Sequence, residues 1–230
     1  MTNNFDYIVV GGGIVGLSIA YKLALKENDK SILVIEKENK LATHQTGKNS
    51  GVIHSGIYYT PGSFKAKNCR EGRIQLIDFA EKHNVSFEMC GKIIAAFDYE
   101  ELQTLYQIYE NGKQNGLEDI KLLSSAQTKK YEPNVDCIKS IFVPYAGIID
   151  YRQVVEKLAE EFQKINQNNK IINSVTVVGV ENDEKVKFIR TNKGTYVTNY
   201  AVFAAGLYAD EMAKLDKIKM DIQIVGFRGD

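Results

Sequence analysis

Asp6-Tyr7-Ile8-Val9-Val10-Gly11-Gly12-Gly13-Ile14-Val15-Gly16 is the stretch on which the reading of this chain turns. A β-branched apolar run meets a glycine turn, and the turn leads into an apolar helical face carried by Ile14, Leu17, Ile19, Ala20 and Leu23. Gly11, Gly13 and Gly16 match the G-x-G-x-x-G spacing of a dinucleotide-binding βαβ unit. Gly11 permits the tight turn, Gly13 lets backbone approach a pyrophosphate, and Gly16 lets helix pack closely on strand. Ile14 and Val15 begin a helix whose free N–H groups and positive dipole end suit phosphate. A second apolar run, Ile32-Leu33-Val34-Ile35, ends at Glu36, twenty residues beyond Gly16. A carboxylate there can accept a hydrogen bond from a ribose 2′-OH, and Lys37 beside it joins the candidate cofactor contacts. The fingerprint alone leaves NAD and FAD open.

Composition narrows the class. The chain has 230 residues, 44% of them hydrophobic and 25% charged, which suits one large globular domain or two small ones. Lys plus Arg and Asp plus Glu are both 29, so net charge gives no support for a nucleic-acid partner. Cys69, Cys90 and Cys137 are odd in number and widely spaced, which argues against a disulfide framework and against a metal site. The apolar run after Ile8 has neither a basic leader nor a small-residue cleavage site, and no run is long enough to span a membrane. The expectation is a cytoplasmic protein with reduced cysteines, and peripheral attachment to the inner membrane is left open.

Working outward, residues 5–36 read as βαβ. Residues 39–62 are rich in Gly, Ser, Thr, His and Tyr and lack periodicity, as expected of a long functional loop. A helix is expected over 63–83 with Ser63 as its N-cap. Strands at 86–89, 92–97 and 138–143 and helices at 100–112 and 124–131 make a smaller α+β unit. An amphipathic helix is expected over 151–167. Residues 175–180, 186–191 and 195–202 read as a three-stranded meander with turns at 181–184 and 192–194. Its last strand continues through Ala204-Ala205-Gly206 into a helix over 207–215. A meander returning to the sheet through small residues suits a flavin-binding domain better than a plain NAD domain. The expected fold is thus α/β: a Rossmann-like FAD-binding domain with an antiparallel β-meander (1–85 and 146–215), plus an inserted and incomplete α+β substrate domain (86–145 and 216–230).

The βαβ fingerprint, Glu36, the run from His44 to Tyr59 and Val202-Phe203-Ala204-Ala205-Gly206 together resemble FAD-dependent oxidoreductases of the D-amino-acid oxidase superfamily. The run from His44 through Pro61-Gly62-Ser63 and the stretch from Ala146 to Tyr151 are most similar to the L-2-hydroxyglutarate oxidase/dehydrogenase group. Val225-Gly226-Phe227-Arg228-Gly229 is also similar to that group. Lys48 departs from it, standing where His is expected. Members of the group are longer, and their C-terminal part covers the flavin, so the resemblance implies that this chain is C-terminally truncated.

The resemblance implies FAD as cofactor and oxidation of a small 2-hydroxy acid, L-2-hydroxyglutarate to 2-oxoglutarate, by hydride transfer to flavin N5. The electron acceptor is O₂ or a membrane quinone. His54 is the expected proton acceptor or substrate-orienting donor, with Tyr58 beside it. Arg228 is the expected carboxylate clamp, ahead of Lys65 and Arg70. His44, Thr46, Gly47, Asn49, Ser50 and Gly51 are expected at the cofactor, with no covalent flavin link. Val175 is placed near the adenine, and Ala205 and Gly206 approach the cofactor through their backbone. His83 is expected on the surface. Two other readings stay open: an amine or amino-acid oxidase on the same fold, and an inactive nucleotide-binding fragment.

Overall fold

A computed structural model describes residues 3–226. The chain divides into two compact units, one formed by the residues up to Asn49 with those from Tyr151 onward, the other by Ser50–Asp150. The first unit opens with β1 (Asn4–Val10), α1 (Ile14–Lys26) and β2 (Ile32–Ile35). The second contains β3 (Val52–Ile53), α2 (Phe64–Lys82), β4 (Phe87–Glu88), β5 (Lys92–Ala96), α3 (Tyr99–Gln114), β6 (Lys121–Ser124), α4 (Ser125–Thr128), β7 (Lys139–Val143) and β8 (Gly147–Ile149). The first unit resumes with α5 (Tyr151–Ile165), β9 (Lys170–Ile172), β10 (Val177–Asp183), β11 (Val186–Thr191), β12 (Gly194–Phe203) and α6 (Ala209–Leu215).

In the first unit the strands form one sheet in the order β10-β11-β12-β1-β2-β9. Strands β12, β1, β2 and β9 run parallel, while β10, β11 and β12 form the antiparallel meander. This position explains the sequence of β1. It lies between two parallel neighbours and is covered on both faces, so Ile8, Val9 and Val10 are all buried and no polar alternation appears. Ile8 and Val10 join Leu33, Ile35, Val177, Val180, Ile189 and Met212 of α6 in one core. On the opposite face α1 and α5 pack together, burying Leu17, Ala20, Val155, Leu158 and Phe162. Asp6 ties the α1–β2 connection to β1: its Oδ2 accepts from the Ser31 N–H and hydroxyl, each at 2.8 Å.

The second unit holds two three-stranded antiparallel sheets, β3-β8-β4 and β5-β7-β6. Its core gathers Ile57, Ala96, Leu105, Leu117, Ile120, Ile141 and Val143. The expected cap at Ser63 forms, and a second forms at Ser124. Ser63 Oγ accepts from the Ala66 N–H at 3.2 Å, and Ser124 with Gln127 closes a capping box on α4. Several expectations need adjusting. The meander turn expected at 181–184 is only Glu184-Lys185, because β10 continues to Asp183. Short strands β6, β8 and β9 carry too few residues to show a periodicity. His83, expected on the surface, is half-buried with its ring 4.4 Å from that of Phe79. The expected boundary at residue 86 falls inside the second unit, which begins at Ser50. Arg73 of α2 binds the Ser55 carbonyl at 3.1 Å and Asn115 binds the Tyr59 carbonyl at 2.8 Å, so the loop belongs with those helices. Residues 216–226 group with the first unit. Among the described residues, no helix is long and apolar enough to cross a membrane.

Candidate functional site

In the first unit, a cavity of about 640 Å³ opens over the β1–α1 turn, within the roughly 300–1,000 Å³ of ligand pockets. Gly11, Gly13, Ile14 and Val15 form its floor, Glu36 and Lys37 one wall, and the loop from Ala42 to Asn49 another. Val175 and the segment from Phe203 to Met212 complete it.

The three fingerprint glycines do different work. Gly11 has φ of +118°, and a methyl group there would overlap the Ala204 carbonyl oxygen. A methyl group on Gly16 would overlap the Gly11 carbonyl oxygen, so Gly16 lets α1 sit on the turn. Gly13 differs. A Cβ there would meet only Thr46 Oγ1, at 3.1 Å, and otherwise faces the cavity. The place a Cβ would fill is therefore left to a ligand.

The start of α1 is prepared for an anion. Gly13 is its N-cap residue and supplies no side chain. Thr46, thirty-two residues away, takes that role: its Oγ1 accepts from the Ile14 N–H at 3.0 Å. The remaining first-turn N–H groups have no intrahelical acceptor. No acidic residue stands in this turn, which preserves the positive end of the helix. The loop is itself braced. Asn49 Nδ2 donates to the Thr46 carbonyl at 2.7 Å, and Arg152 Nη2 donates to the Gly47 carbonyl at 2.8 Å.

Glu36 stands at the end of β2. Its Oε2 accepts from the Gly12 N–H at 2.6 Å, and its Oε1 from the Glu38 N–H at 2.8 Å. Each oxygen keeps a second lone pair for a ribose hydroxyl. Beside it, His44 Nε2 is 2.9 Å from Glu38 Oε1, and Lys37 Nζ lies 3.4 Å from the centroid of the Tyr208 ring.

Of the residues proposed from the sequence for the cofactor, Gly11, Gly13, Ile14, Val15, Glu36, Lys37, His44, Thr46, Asn49, Val175, Ala205 and Gly206 all line this cavity. Gly16 supports it from behind, and Gly47 from beneath the loop. Ser50 and Gly51 do not line it and lie in the second unit, as do His54, Tyr58, Lys65 and Arg70. His54 is exposed, and its carbonyl accepts from Cys69 Sγ at 3.4 Å. Tyr58 is exposed and carries the ammonium of Lys92 over its ring at 4.3 Å. Lys65 and Arg70 are exposed. Arg228 lies outside the described residues. Sequence reading missed Thr176, Phe203, Tyr208 and Met212 as cavity walls. The Val175 N–H bond to the Glu36 carbonyl brings Thr176 there, and the register of β12 beside β1 and the docking of α6 bring the others; none of these has a local signature.

These residues fit a dinucleotide: a backbone cradle at Gly13, a bare helix N-terminus for the pyrophosphate, and an acidic ribose partner. Among the described residues no group of three or more His, Cys, Asp or Glu side chains could hold a metal ion.

Comparison with known proteins agrees. A family model described as FAD dependent oxidoreductase (DAO) matches residues 6–230. The chain is 41% identical over 228 residues to an L-2-hydroxyglutarate dehydrogenase from Indibacter alkaliphilus, covering 99% of this chain and 57% of that protein. It is 41% identical over 241 residues to the mitochondrial L-2-hydroxyglutarate dehydrogenase of Homo sapiens, covering 100% of this chain and 52% of that protein. The chain thus spans about half the length of the curated relatives it matches. Among solved structures it resembles a dithionite-reduced L-alpha-glycerophosphate oxidase from Mycoplasma pneumoniae with FAD bound. The TM-score is 0.85 at 28% identity, over 92% of this chain and 56% of that one. A glycine oxidase from Geobacillus kaustophilus shares the fold, with a TM-score of 0.86 at 19% identity over 96% of this chain and 60% of that one.

Proposed function

We propose that this chain, which belongs to the DAO family of FAD dependent oxidoreductases, serves an enzyme that oxidises L-2-hydroxyglutarate to 2-oxoglutarate. The observation that carries this reading is the 41% identity, across 99% of the chain, to an L-2-hydroxyglutarate dehydrogenase. The first unit is assigned to the cofactor and the second to the substrate.

When bound, FAD supplies the acceptor for the electron pair that leaves the substrate Cα with its hydrogen. The chain's own residues hold and orient. Gly13, Ile14 and Val15 present backbone to the pyrophosphate, Glu36 takes the ribose hydroxyls, and Lys37 and His44 border the same cavity. Thr46 keeps the loop on the start of α1 through its bond to the Ile14 N–H. Oxidation also requires that the substrate hydroxyl lose its proton, and His54 is the proposed acceptor. Its carbonyl is tied to Cys69, which steadies the backbone under an exposed imidazole. Tyr58 is the proposed neighbouring donor, and Arg228 a proposed carboxylate partner. The electron acceptor is O₂ or a membrane quinone, and the enzyme works in the cytoplasm or at a membrane surface.

The test begins with purified protein supplied with FAD. Yellow protein whose visible flavin absorbance bleaches anaerobically with L-2-hydroxyglutarate, and not with D-2-hydroxyglutarate, L-lactate, glycine or L-proline, is the expected result. Bleaching by glycine or proline instead would redirect the reading to amino-acid oxidation, and protein that stays colourless with FAD would refute it. Readmitting air or adding a soluble quinone to the reduced protein then distinguishes the two acceptors. Replacing His54 by Gln should lower turnover by roughly 100-fold or more. Near-normal turnover would remove His54 from proton transfer.

A further inference from the structure

Arg73 and Lys92 of the second unit are cations at least half removed from solvent, and neither has a carboxylate partner among the described residues. Arg73 on α2 is only 9% exposed. Its Nη1 donates to the Ser55 carbonyl at 3.1 Å, and its guanidinium carbon lies 4.8 Å from the centroid of the Tyr145 ring. A guanidinium carries five N–H donors, and no other hydrogen bond or ion pair takes them among the described residues. Lys92, the first residue of β5, is half-buried. By strand alternation it shares a face with Ile94 and Ala96, the face that meets Ile57 and the core. Its ammonium lies over the Tyr58 ring at 4.3 Å and makes no hydrogen bond or ion pair among the described residues. Burial holds both groups below their ordinary pKa ranges.

Cys69, one turn before Arg73 on α2, joins the two. Its thiol is close enough to feel both cations, and it donates to the His54 carbonyl at 3.4 Å. Arg70 adds a third positive charge near Arg73. Asp119, which accepts from the Tyr145 hydroxyl at 2.8 Å, forms no ion pair with Arg73. Desolvating two cations is unfavourable unless something negative compensates. No carboxylate does so among the described residues, and the neighbours of the two cations are the Cys69 thiol and the rings of Tyr58 and Tyr145.

We propose that Arg73 and Lys92 form a carboxylate-binding subsite that holds the distal carboxylate of the dicarboxylate substrate. The inference rests on the hydroxyglutarate reading above and adds two residues to it. A guanidinium suits a carboxylate through paired N–H donors, while the ammonium contributes a compact charge. The pair sits in the same short segment of fold as His54 and Tyr58, through the Ser55 carbonyl and the Tyr58 ring. The subsite explains why a five-carbon diacid would be taken in preference to a monocarboxylic hydroxy acid.

The test uses the FAD-supplied protein carrying Cys90→Ser, and glutarate as a diacid that cannot be oxidised, with butyrate as the monoacid control. Glutarate should bind by calorimetry and should slow alkylation of Cys69, and butyrate should do neither. Lys92→Met and Arg73→Lys, each checked for native circular dichroism, should weaken glutarate by about tenfold to a hundredfold, the loss of a charged hydrogen bond, and abolish the protection of Cys69. For Lys92→Met, oxidation of L-2-hydroxyglutarate should show a raised KM with a smaller change in kcat. Failure of glutarate to bind the unsubstituted protein, or unchanged glutarate affinity in folded variants, would overturn the subsite. Oxidation of L-2-hydroxyglutarate by variants with normal KM would do so while leaving the proposed activity standing. Glutarate binding that depends on both cations in a protein inert to L-2-hydroxyglutarate would uphold the subsite and overturn the activity.

Discussion

Gly13→Ala and Gly11→Ala, two substitutions of one methyl group in the same turn, should fail in different ways. At Gly13 the backbone has φ of −85°, which any residue adopts. The added methyl meets Thr46 Oγ1 at 3.1 Å, a contact the hydroxyl can relieve by a few tenths of an ångström, and otherwise enters the cavity. Folding should change by less than about 1 kcal/mol, the difference between Gly and Ala at an N-cap. The methyl occupies the space a phosphate needs to reach the helix amides. Loss of one charge-assisted hydrogen bond there costs about 1.5–3 kcal/mol, or about tenfold to a hundredfold in FAD affinity. At Gly11 the φ of +118° is strained for alanine, and the methyl overlaps the Ala204 carbonyl just beyond the end of the β1–β12 pairing. Strain of about 1–3 kcal/mol adds to overpacking of about 1–3 kcal/mol. The sum is a large share of the roughly 5–15 kcal/mol that holds a domain folded. Thermal melts with and without FAD separate the cases. The parent protein should gain about 2.7 kcal/mol when FAD is present at a hundred times its Kd. Gly13→Ala should keep the FAD-free melting temperature and lose about half or more of the FAD-induced rise, whereas Gly11→Ala should melt far lower or be insoluble. A Gly13→Ala protein that binds FAD normally would refute the placement of the pyrophosphate against this turn.

Thr46→Val removes the oxygen that caps the Ile14 N–H and should cost about 1 kcal/mol of stability while weakening FAD, measured by melting and fluorescence titration. Phe162→Ala, at a fully buried position of α5, should cost about 3–5 kcal/mol in urea unfolding, and a cost under 1 kcal/mol would mean that α5 is not docked through this ring. The Ser31 N–H, aided by the Ser31 hydroxyl and Lys30, holds the Asp6 carboxyl below the usual carboxylate range against the opposing effect of burial. The folded state therefore binds that proton less readily than the unfolded chain. Its stabilisation is complete above the unfolded value, near 3.8, and is lost as pH falls through the folded one. Asp6→Asn should accordingly lower stability near neutrality and flatten its decline in acid, and an unchanged acid limb would show that Asp6 contributes nothing there.

The sequence was most legible where a constraint acts between near neighbours. The turn at Gly11 to Gly16, the cap at Ser63 and the amphipathic α5 each rest on interactions within a few residues, and each forms where expected. The meander was visible because its strands are long enough to show their pattern. β6, β8 and β9 were not, since three or four residues hold at most two repeats of an alternation. His83 was misplaced because charged neighbours mark its helix as exposed, while its ring turns inward against Phe79.

Taken alone, the amino-acid order determined the βαβ unit, the glycine turn between β1 and α1, the carboxylate placed at the end of β2 and the likeness to a flavoprotein family. These follow from backbone conformations that only glycine adopts easily and from apolar runs that must be buried on both faces. Tertiary structure decided what encloses the cavity and which charges stand without partners. Thr46 became the missing cap of α1 through the loop that Asn49 and Arg152 brace, while Ala204 became the reason for Gly11 and Tyr208 came to rest over Lys37 because β12 pairs with β1 across almost the whole chain. Nothing in the sequence sets Arg73 and Lys92 apart from the other cations of the second unit. Packing α2 and β5 against the segment from Ser55 to Tyr58 left Arg73 buried and Lys92 half-buried without a carboxylate among the described residues, and pairings between distant segments leave no local pattern from which that could be read.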